Sequence, residues 1–108
     1  MSPAYAARAV AFDGVYTEKD WSQVVTDYAG LRGWLVYRTW RSVHSPSGYP
    51  DLTMVRGERL VVAELKTEKG KLSPSQKDWL ERLRGVPGIE VFGPWRPSDW
   101  PAVRDLLQ

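Results

Sequence analysis

Residues 48–66 read GYPDLTMVRGERLVVAELK, and this stretch decides the fold of the chain. Two runs rich in apolar and β-branched residues, Leu52 to Arg56 and Leu60 to Leu65, lie on either side of a corner that contains Gly57-Glu58. Such runs around a short turn signal predict a β-hairpin. Glycine at the first central position of a two-residue loop favours a type II′ turn.

In the register that this turn imposes, Asp51 lies directly opposite Glu64. Paired residues on one face of a sheet have Cβ atoms about 5 Å apart, so two carboxylates there repel each other unless a positive charge lies between them. Lys66 follows Glu64 by two residues and shares its face. Oxygen ligands of this kind suit Mg²⁺ or Mn²⁺, and the chain has no cysteine for a thiolate zinc site. The alternative is a surface hairpin with a structural ion pair between Glu64 and Lys66.

A helix is predicted over residues 18–32, because Thr17 and Asp20 provide an N-cap and an acid at the third helical position. Gly33 ends it. Its apolar residues recur at helical spacing and form the predicted core stripe: Trp21, Val24, Val25, Tyr28 and Leu31.

Glu18 shares this buried stripe at its N-terminal end, and a buried acid needs a partner or a metal ion. The alternative is an acid that is merely favourable at the positive end of the helix dipole.

The remaining elements alternate between strands and helices. Residues 34–40 are predicted to form a strand and residues 41–49 a polar loop. A capping box with proline at the first helical position predicts a helix over residues 74–84, and residues 89–92 are predicted to form a strand. Ser98 is predicted to cap a final helix that ends near Leu107. The architecture is therefore α/β, with a central sheet of about four strands flanked by helices.

Gln76 supports two interpretations. At the third position of its helix, its side chain can bond back to the amide of Ser73 and complete the capping box. It also shares a helix face with Trp79, Leu80 and Leu83, which places it to point inward. Both interpretations stay open at this point.

Length and composition predict one domain over all 108 residues, with residues 1–16 as an N-terminal arm or irregular segment. The chain lacks cysteine, a secretory signal and an apolar run long enough to span a bilayer. We therefore expect no membrane partner and a soluble protein of the cytoplasm.

Positive charge is concentrated in residues 32–77, which hold nine basic and four acidic residues. This distribution suits a polyanionic partner, although a solvated charged face would show it too. The candidate phosphate contacts are Arg38, Arg41, His44, Lys69 and Lys71. Most of the six tryptophans are expected in the core. For Trp95 and Trp100, which lie in a turn-rich segment, stacking on nucleobases or contact with a partner subunit is the alternative.

These residues carry a family resemblance. Pro50-Asp51 followed by Glu64-Leu65-Lys66 resembles the PD-(D/E)XK nuclease signature. The fuller blocks GYPD at 48–51, AELKTEKG at 63–70, LSPSQ at 72–76 and WRPSDW at 95–100 resemble the VRR-NUC family within that superfamily.

The resemblance implies a restriction-endonuclease-like core with a central mixed sheet, and a DNA-cleaving enzyme that uses Mg²⁺ or Mn²⁺. It implies a metal site of Asp51, Glu64, Glu18 and the carbonyl of Leu65, with Lys66 and Gln76 in the catalytic set. It also implies ends with 5′-phosphate and 3′-hydroxyl groups, and branched, flapped or junction DNA as substrate in replication and repair. The chain resembles the stand-alone, phage-type members of the family, for which the expected location would be the cytoplasm of the host cell. Stand-alone relatives of this fold in junction-cleaving systems form pairs, so a homodimer is expected. The family often has histidine where this chain has Arg38, so Arg38 is kept as a binding candidate only.

A function of another class is a nucleic-acid-binding adaptor that has kept the fold and lost catalysis. The intact Asp51, Glu64 and Lys66 argue against it, because a module that only binds DNA has no use for paired acids that face phosphate.

Overall fold

The computed structural model describes residues 16–40 and 43–108. Arg41 and nearly all of the predicted N-terminal arm lie outside the described residues. No helix within the described ranges is long and apolar enough to cross a membrane.

The predicted hairpin forms the centre of the sheet. Strand β2 (Leu52–Arg56) runs antiparallel to strand β3 (Arg59–Leu65), with Leu52 opposite Ala63 and Arg56 opposite Arg59. Gly57 has φ +59°, and Glu58 keeps a negative φ, which is the combination that a type II′ turn requires. The predicted turn and register are therefore confirmed.

Four strands make up a mixed sheet in the order β1-β2-β3-β4. Strand β1 (Leu35–Arg38) pairs antiparallel with β2, and strand β4 (Glu90–Trp95) pairs parallel with β3. The last strand extends beyond the predicted residues 89–92 and includes Gly93-Pro94. Proline is tolerated there because β4 lies at the sheet edge, where a missing amide donor leaves no neighbour unpaired.

Helix α1 (Glu18–Leu31) begins as predicted, since the Thr17 hydroxyl accepts a hydrogen bond from the Asp20 amide at 3.0 Å. Four members of the predicted stripe are buried, but Leu31 is 57% exposed, and Ala29 is buried instead. Leu31 is exposed because it lies at the edge of the stripe and at the last residue of the helix.

The second predicted helix is also confirmed: α2 (Pro74–Arg84) carries the complete capping box of Ser73 and Gln76. A 3₁₀ turn (Pro97–Asp99) leads into α3 (Trp100–Leu107). The prediction that Ser98 caps this helix is wrong. Ser98 lies inside the 3₁₀ turn, and its amide and hydroxyl both donate to the Glu68 carboxylate.

The core lies on the sheet face that α1 and α3 cover. Trp21, Trp34, Trp95 and Trp100 are buried there, and the Trp100 ring meets Trp21 edge-on at 6.1 Å. Base stacking or subunit contact by Trp95 and Trp100 is therefore wrong, because burial leaves neither ring a free face. The opposite face of the central strands carries Asp51 and Glu64.

Candidate active site

Three elements bring three acids together at one end of the sheet. Glu18 is the first residue of α1, Asp51 directly precedes β2, and Glu64 lies near the end of β3. One carboxylate oxygen from each acid lies within 4.8 Å of the others. The oxygens around Mg²⁺ are at most about 4.2 Å apart when each lies 2.1 Å from the ion, so a small inward movement would fit one.

Glu64 has the most unusual environment of the three. The residue is only 1% exposed. Its Oε2 accepts a hydrogen bond from Gln76 Nε2 at 3.2 Å, whereas the buried Oε1 has no hydrogen-bond partner among the described residues. Burial, followed by the neighbouring Asp51 carboxylate, raises the pKa of Glu64 to about 9. A buried, unpaired carboxylate oxygen is costly unless a cation or proton satisfies it.

Asp51 is positioned by the backbone of the opposite strand. Its Oδ2 accepts a hydrogen bond from the Leu65 amide at 2.8 Å. The bond orients the carboxylate toward the end of β3 and uses one of its two oxygens. Leu65 itself lies between Glu64 and Lys66, so one tripeptide supplies an acid, a backbone contact and a cation.

Glu18 does not fit its sequence-based description, because the side chain is exposed rather than buried in the helix stripe. Glu18 is the first residue of α1, and its carboxylate joins the acid cluster from an exposed position. Partial desolvation, followed by the charge of Asp51, raises the pKa of Glu18 above its ordinary value, and Lys66 opposes that rise.

These residues fit a divalent cation. The donors are carboxylate oxygens, which Mg²⁺ and Mn²⁺ prefer. The fit is also indicated by Glu64 Oε1, which is buried in a cluster of three acids and has no hydrogen-bond partner within residues 16–40 and 43–108. A cation at this position would remove both the desolvation cost and the repulsion.

Lys66 lies beside the acids, with its Nζ atom 3.8 Å from Glu64 Oε2. That distance is too long for a strong hydrogen bond, so the contact is mainly electrostatic. The Lys66 amide donates to the Trp95 carbonyl at 2.9 Å, and the Trp21 indole donates to the same oxygen at 2.8 Å. The lysine backbone is thus bonded to β4, at a carbonyl that α1 also binds through Trp21.

Gln76 fulfils both interpretations at once. Its Oε1 accepts a hydrogen bond from the Ser73 amide at 2.8 Å, and its Nε2 donates to Glu64. The two ends of one amide thereby join the N-terminus of α2 to the buried acid.

The predicted phosphate contacts are dispersed. Lys71 is exposed and lines the cleft that also contains Asp51 and Lys66. Lys69 is exposed in the same loop. Arg38 pairs with Leu52, and strand alternation therefore directs it to the face opposite Asp51.

His44 lies exposed in the loop between β1 and β2, and Arg41 lies outside the part of the chain that the structure describes. Of the four predicted contacts that the structure describes, Lys71 is therefore the one that lines the cleft.

Sequence reasoning missed the role of Arg96. Its guanidinium donates to the carbonyls of Thr67, Glu68 and Gly70, and so holds the loop that follows Lys66. Arg96 lies in the WRPSDW block, and this block was the feature of the sequence that could have indicated a role for it. Three carbonyls from a distant loop are a tertiary partner that local pattern does not identify.

A four-stranded mixed sheet flanked by three helices, with this acid cluster at its end, defines an α/β restriction-endonuclease-like fold. The sequence profile of the VRR-NUC domain matches residues 18–92, and the chain belongs to the VRR-NUC family of nuclease domains.

A solved structure described as a VRR_NUC domain is 32% identical to the chain. The alignment covers 77% of this chain and 89% of that one, with a TM-score of 0.49. No curated protein matches the chain significantly. Membership of this family makes the chain a nuclease-family domain, for which a nucleic acid is the implied substrate.

Proposed function

We propose that this protein hydrolyses phosphodiester bonds in DNA with the help of Mg²⁺ or Mn²⁺. The observation that carries the proposal is the buried Oε1 of Glu64, which has no partner among the described residues and lies in a cluster of three acids next to a lysine. A structural ion pair needs one acid and one base. It does not explain three acids that converge on one point.

Asp51, Glu64 and Glu18 would hold the cation, together with the backbone carbonyl of Leu65. When bound, a divalent cation polarises the phosphate and makes a water molecule acidic enough to attack at neutral pH. Gln76 and the Leu65 amide orient the two inner carboxylates before the substrate arrives. Such preorganisation is what positions donors and charges for a transition state.

Lys66 has a separate role in this proposal. Its ammonium lies next to Glu64, and the side chain is largely buried, so its charge acts in a medium of low dielectric constant. There it positions the attacking water and stabilises the charge that develops on the phosphoryl oxygens.

The substrate we propose is branched, flapped or junction DNA, and the protein acts as a homodimer. The basic segment at residues 32–77 and membership of the VRR-NUC family support a DNA substrate. Leu35 and Val55 face each other across β1 and β2 and are both exposed, which supports a second copy on this face.

A cleavage assay tests the function. Labelled flap, four-way and linear duplexes are incubated with Mg²⁺, with Mn²⁺ or with chelator, using wild type and Lys66→Ala. We expect wild type to cleave only with metal, and Lys66→Ala not to cleave. Binding of all three DNAs with no metal-stimulated cleavage of any would instead identify a binding adaptor.

A further inference from the structure

An open cleft of about 710 Å³ lies beside the acid cluster, and Asp51 and Lys66 form part of its lining. Aromatic rings contribute much of the rest of its wall. They come from three segments of the chain: Tyr37, Trp40, Tyr49 and Trp79.

Two of these rings are held in place by the protein. The Tyr49 hydroxyl lies 3.2 Å from the Thr53 hydroxyl, and the Trp79 indole donates to the Ser47 carbonyl at 3.1 Å. Their rings meet edge-on at 5.2 Å. Tyr49 and Trp79 therefore form a fixed wall of the cleft.

Tyr37 and Trp40 have a different environment. They are 63% and 84% exposed, although four other tryptophans of the chain are buried. Exposing a large aromatic ring forgoes the burial that stabilises most tryptophans, and aromatic residues are the type enriched where proteins bind partners. Two such rings at the edge of a cleft indicate a binding surface.

The position of Tyr37 relative to the acids can be read from the sheet. The Thr39 amide donates to the Asp51 carbonyl at 2.8 Å, which sets Thr39 beside Asp51. Tyr37 lies two residues along the same face, or about 6.6 Å away at the strand rise. A DNA strand advances about 3.4 Å per nucleotide in a duplex and more when extended. The Tyr37 ring therefore lies one or two nucleotides from a phosphate at the acids, and the Trp40 ring lines the same cleft.

We propose that Tyr37 and Trp40 form a subsite that stacks one unpaired nucleobase of the strand whose phosphate lies at Asp51 and Lys66. The inference rests on the proposed function, because that function places the phosphate. A base within a duplex is already stacked on its neighbours, so only an unpaired base can occupy the rings. Stacking also tolerates any base, which suits an enzyme that reads DNA structure rather than sequence.

Charge favours DNA over a second protein copy as the occupant. Lys66 and Lys71 line the same cleft as the two rings and are complementary to a phosphodiester chain. The central parts of protein interfaces are depleted of lysine. The cleft is also continuous with the acid cluster, so a strand bound there passes over both.

A double-mutant cycle on binding tests the subsite. A series of flapped DNAs is prepared, each with one abasic nucleotide at a different unpaired position near the junction. Dissociation constants for these DNAs and for the intact flap are measured in chelator for wild type, Trp40→Ala and Tyr37→Leu. Leu31→Ala is the matched control, since Leu31 is exposed but does not line the cleft. We expect Trp40→Ala to weaken binding of intact flapped DNA by about 5- to 150-fold, the range for loss of one stacked base.

The abasic position is decisive. At one unpaired nucleotide, removal of the base should weaken wild-type binding by the same factor, and Trp40→Ala should then cause no further loss. Additive losses at every position would overturn the subsite. Dissociation of a wild-type dimer by Trp40→Ala, without coupling to any base, would also overturn it and assign the rings to a second copy.

Cleavage separates this inference from the proposed function. If Trp40 is coupled to one base but no metal-stimulated cleavage is seen, the subsite is supported and the proposed nuclease activity is excluded. If cleavage depends on metal but Trp40 is coupled to no base, the proposed nuclease activity is supported and the subsite is excluded.

Discussion

Gln76 Nε2 lies 3.2 Å from Glu64 Oε2, so the residue that completes the cap of α2 also holds the buried acid. The opposite end of the same amide accepts from the Ser73 amide. The Gln76 side chain thus connects the start of α2 to Glu64, one of the acids that the sequence predicts as metal ligands.

The Gln76→Ala variant should lose both bonds. We expect about 0.5–2 kcal/mol lower stability from the damaged cap. Cleavage should fall about 10- to 100-fold, the usual effect of losing a partner that orients a metal ligand. Ser73→Ala is the matched control, because it removes the other half of the cap and leaves Glu64 untouched. Equal losses of cleavage in both variants would assign Gln76 to the helix alone.

The raised pKa of Glu64 predicts how stability depends on pH without metal. Between the unfolded value near 4.5 and the folded value near 9, the folded protein keeps a proton that the unfolded chain releases. The contribution of Glu64 to the free energy of unfolding should therefore be most favourable below pH 4.5. It should decrease as pH rises toward 9, by at most about 1.4 kcal/mol per pH unit. Glu64→Gln carries no such proton and should lack this slope. Urea titrations from pH 5 to 8 measure it, and parallel slopes for the two proteins would contradict the assignment.

Bound metal should reverse the order of stability of wild type and two acid variants, Glu64→Gln and Asp51→Asn. In chelator at neutral pH, the folded protein keeps Glu64 protonated at a cost in stability, to which the burial of Glu64 and the Asp51 carboxylate both contribute. Glu64→Gln and Asp51→Asn each remove part of that cost, so both should melt above wild type in chelator. Saturating Mg²⁺ or Mn²⁺ should stabilise wild type by about 2.7 kcal/mol at a hundred times the dissociation constant, and the variants by less. Glu58→Gln, in the hairpin turn, is the control that should change neither value. A lower melting temperature of Asp51→Asn in chelator, with an unchanged metal response, would disprove the paired acids.

Substitution of Lys66 should affect cleavage, whereas substitution of the surrounding basic residues should affect DNA binding. Lys66→Ala and Asp51→Asn should abolish cleavage and leave DNA binding largely intact, because a contact made in the transition state affects turnover more than affinity. Loss of Lys69, Lys71 or Arg41 should weaken binding and reduce its salt slope by about 0.9 for each lost phosphate contact. Arg104→Ala, on α3, is the charge-matched control. Normal binding by all three variants would show that the basic surface lies elsewhere.

Arg96→Ala should loosen the loop after Lys66. The change removes donors to three carbonyls, each bond being worth about 0.5–1.5 kcal/mol. We expect faster hydrogen exchange over residues 66–71 and cleavage reduced at least tenfold, while Arg96→Lys restores part of both. Unchanged exchange in this loop would exclude the positioning role.

The proposed homodimer is tested by mass. Light scattering at working concentration should give twice the chain mass, and Leu35→Glu, on the exposed strand face, should halve it because a charge is then buried in an apolar contact. A monomer that still cleaves DNA would eliminate the dimer.

The sequence by itself determined what depends on neighbouring residues. A two-residue turn sets the hairpin register, so the pairing of Asp51 with Glu64 follows from Gly57 and Glu58. The caps at Thr17 and Ser73 depend on bonds within one helical turn, and both helix starts were predicted correctly. The alternation of β3 likewise placed Lys66 beside Glu64.

Only the tertiary structure decided what depends on distant partners. Ser98 binds Glu68 instead of capping a helix, and Arg96 finds three carbonyls in another loop. The same holds for the tryptophans, since burial of Trp95 and exposure of Trp40 depend on which elements pack over them. Local pattern sets the period and register of an element. The surface that covers it is set by residues far away in the chain.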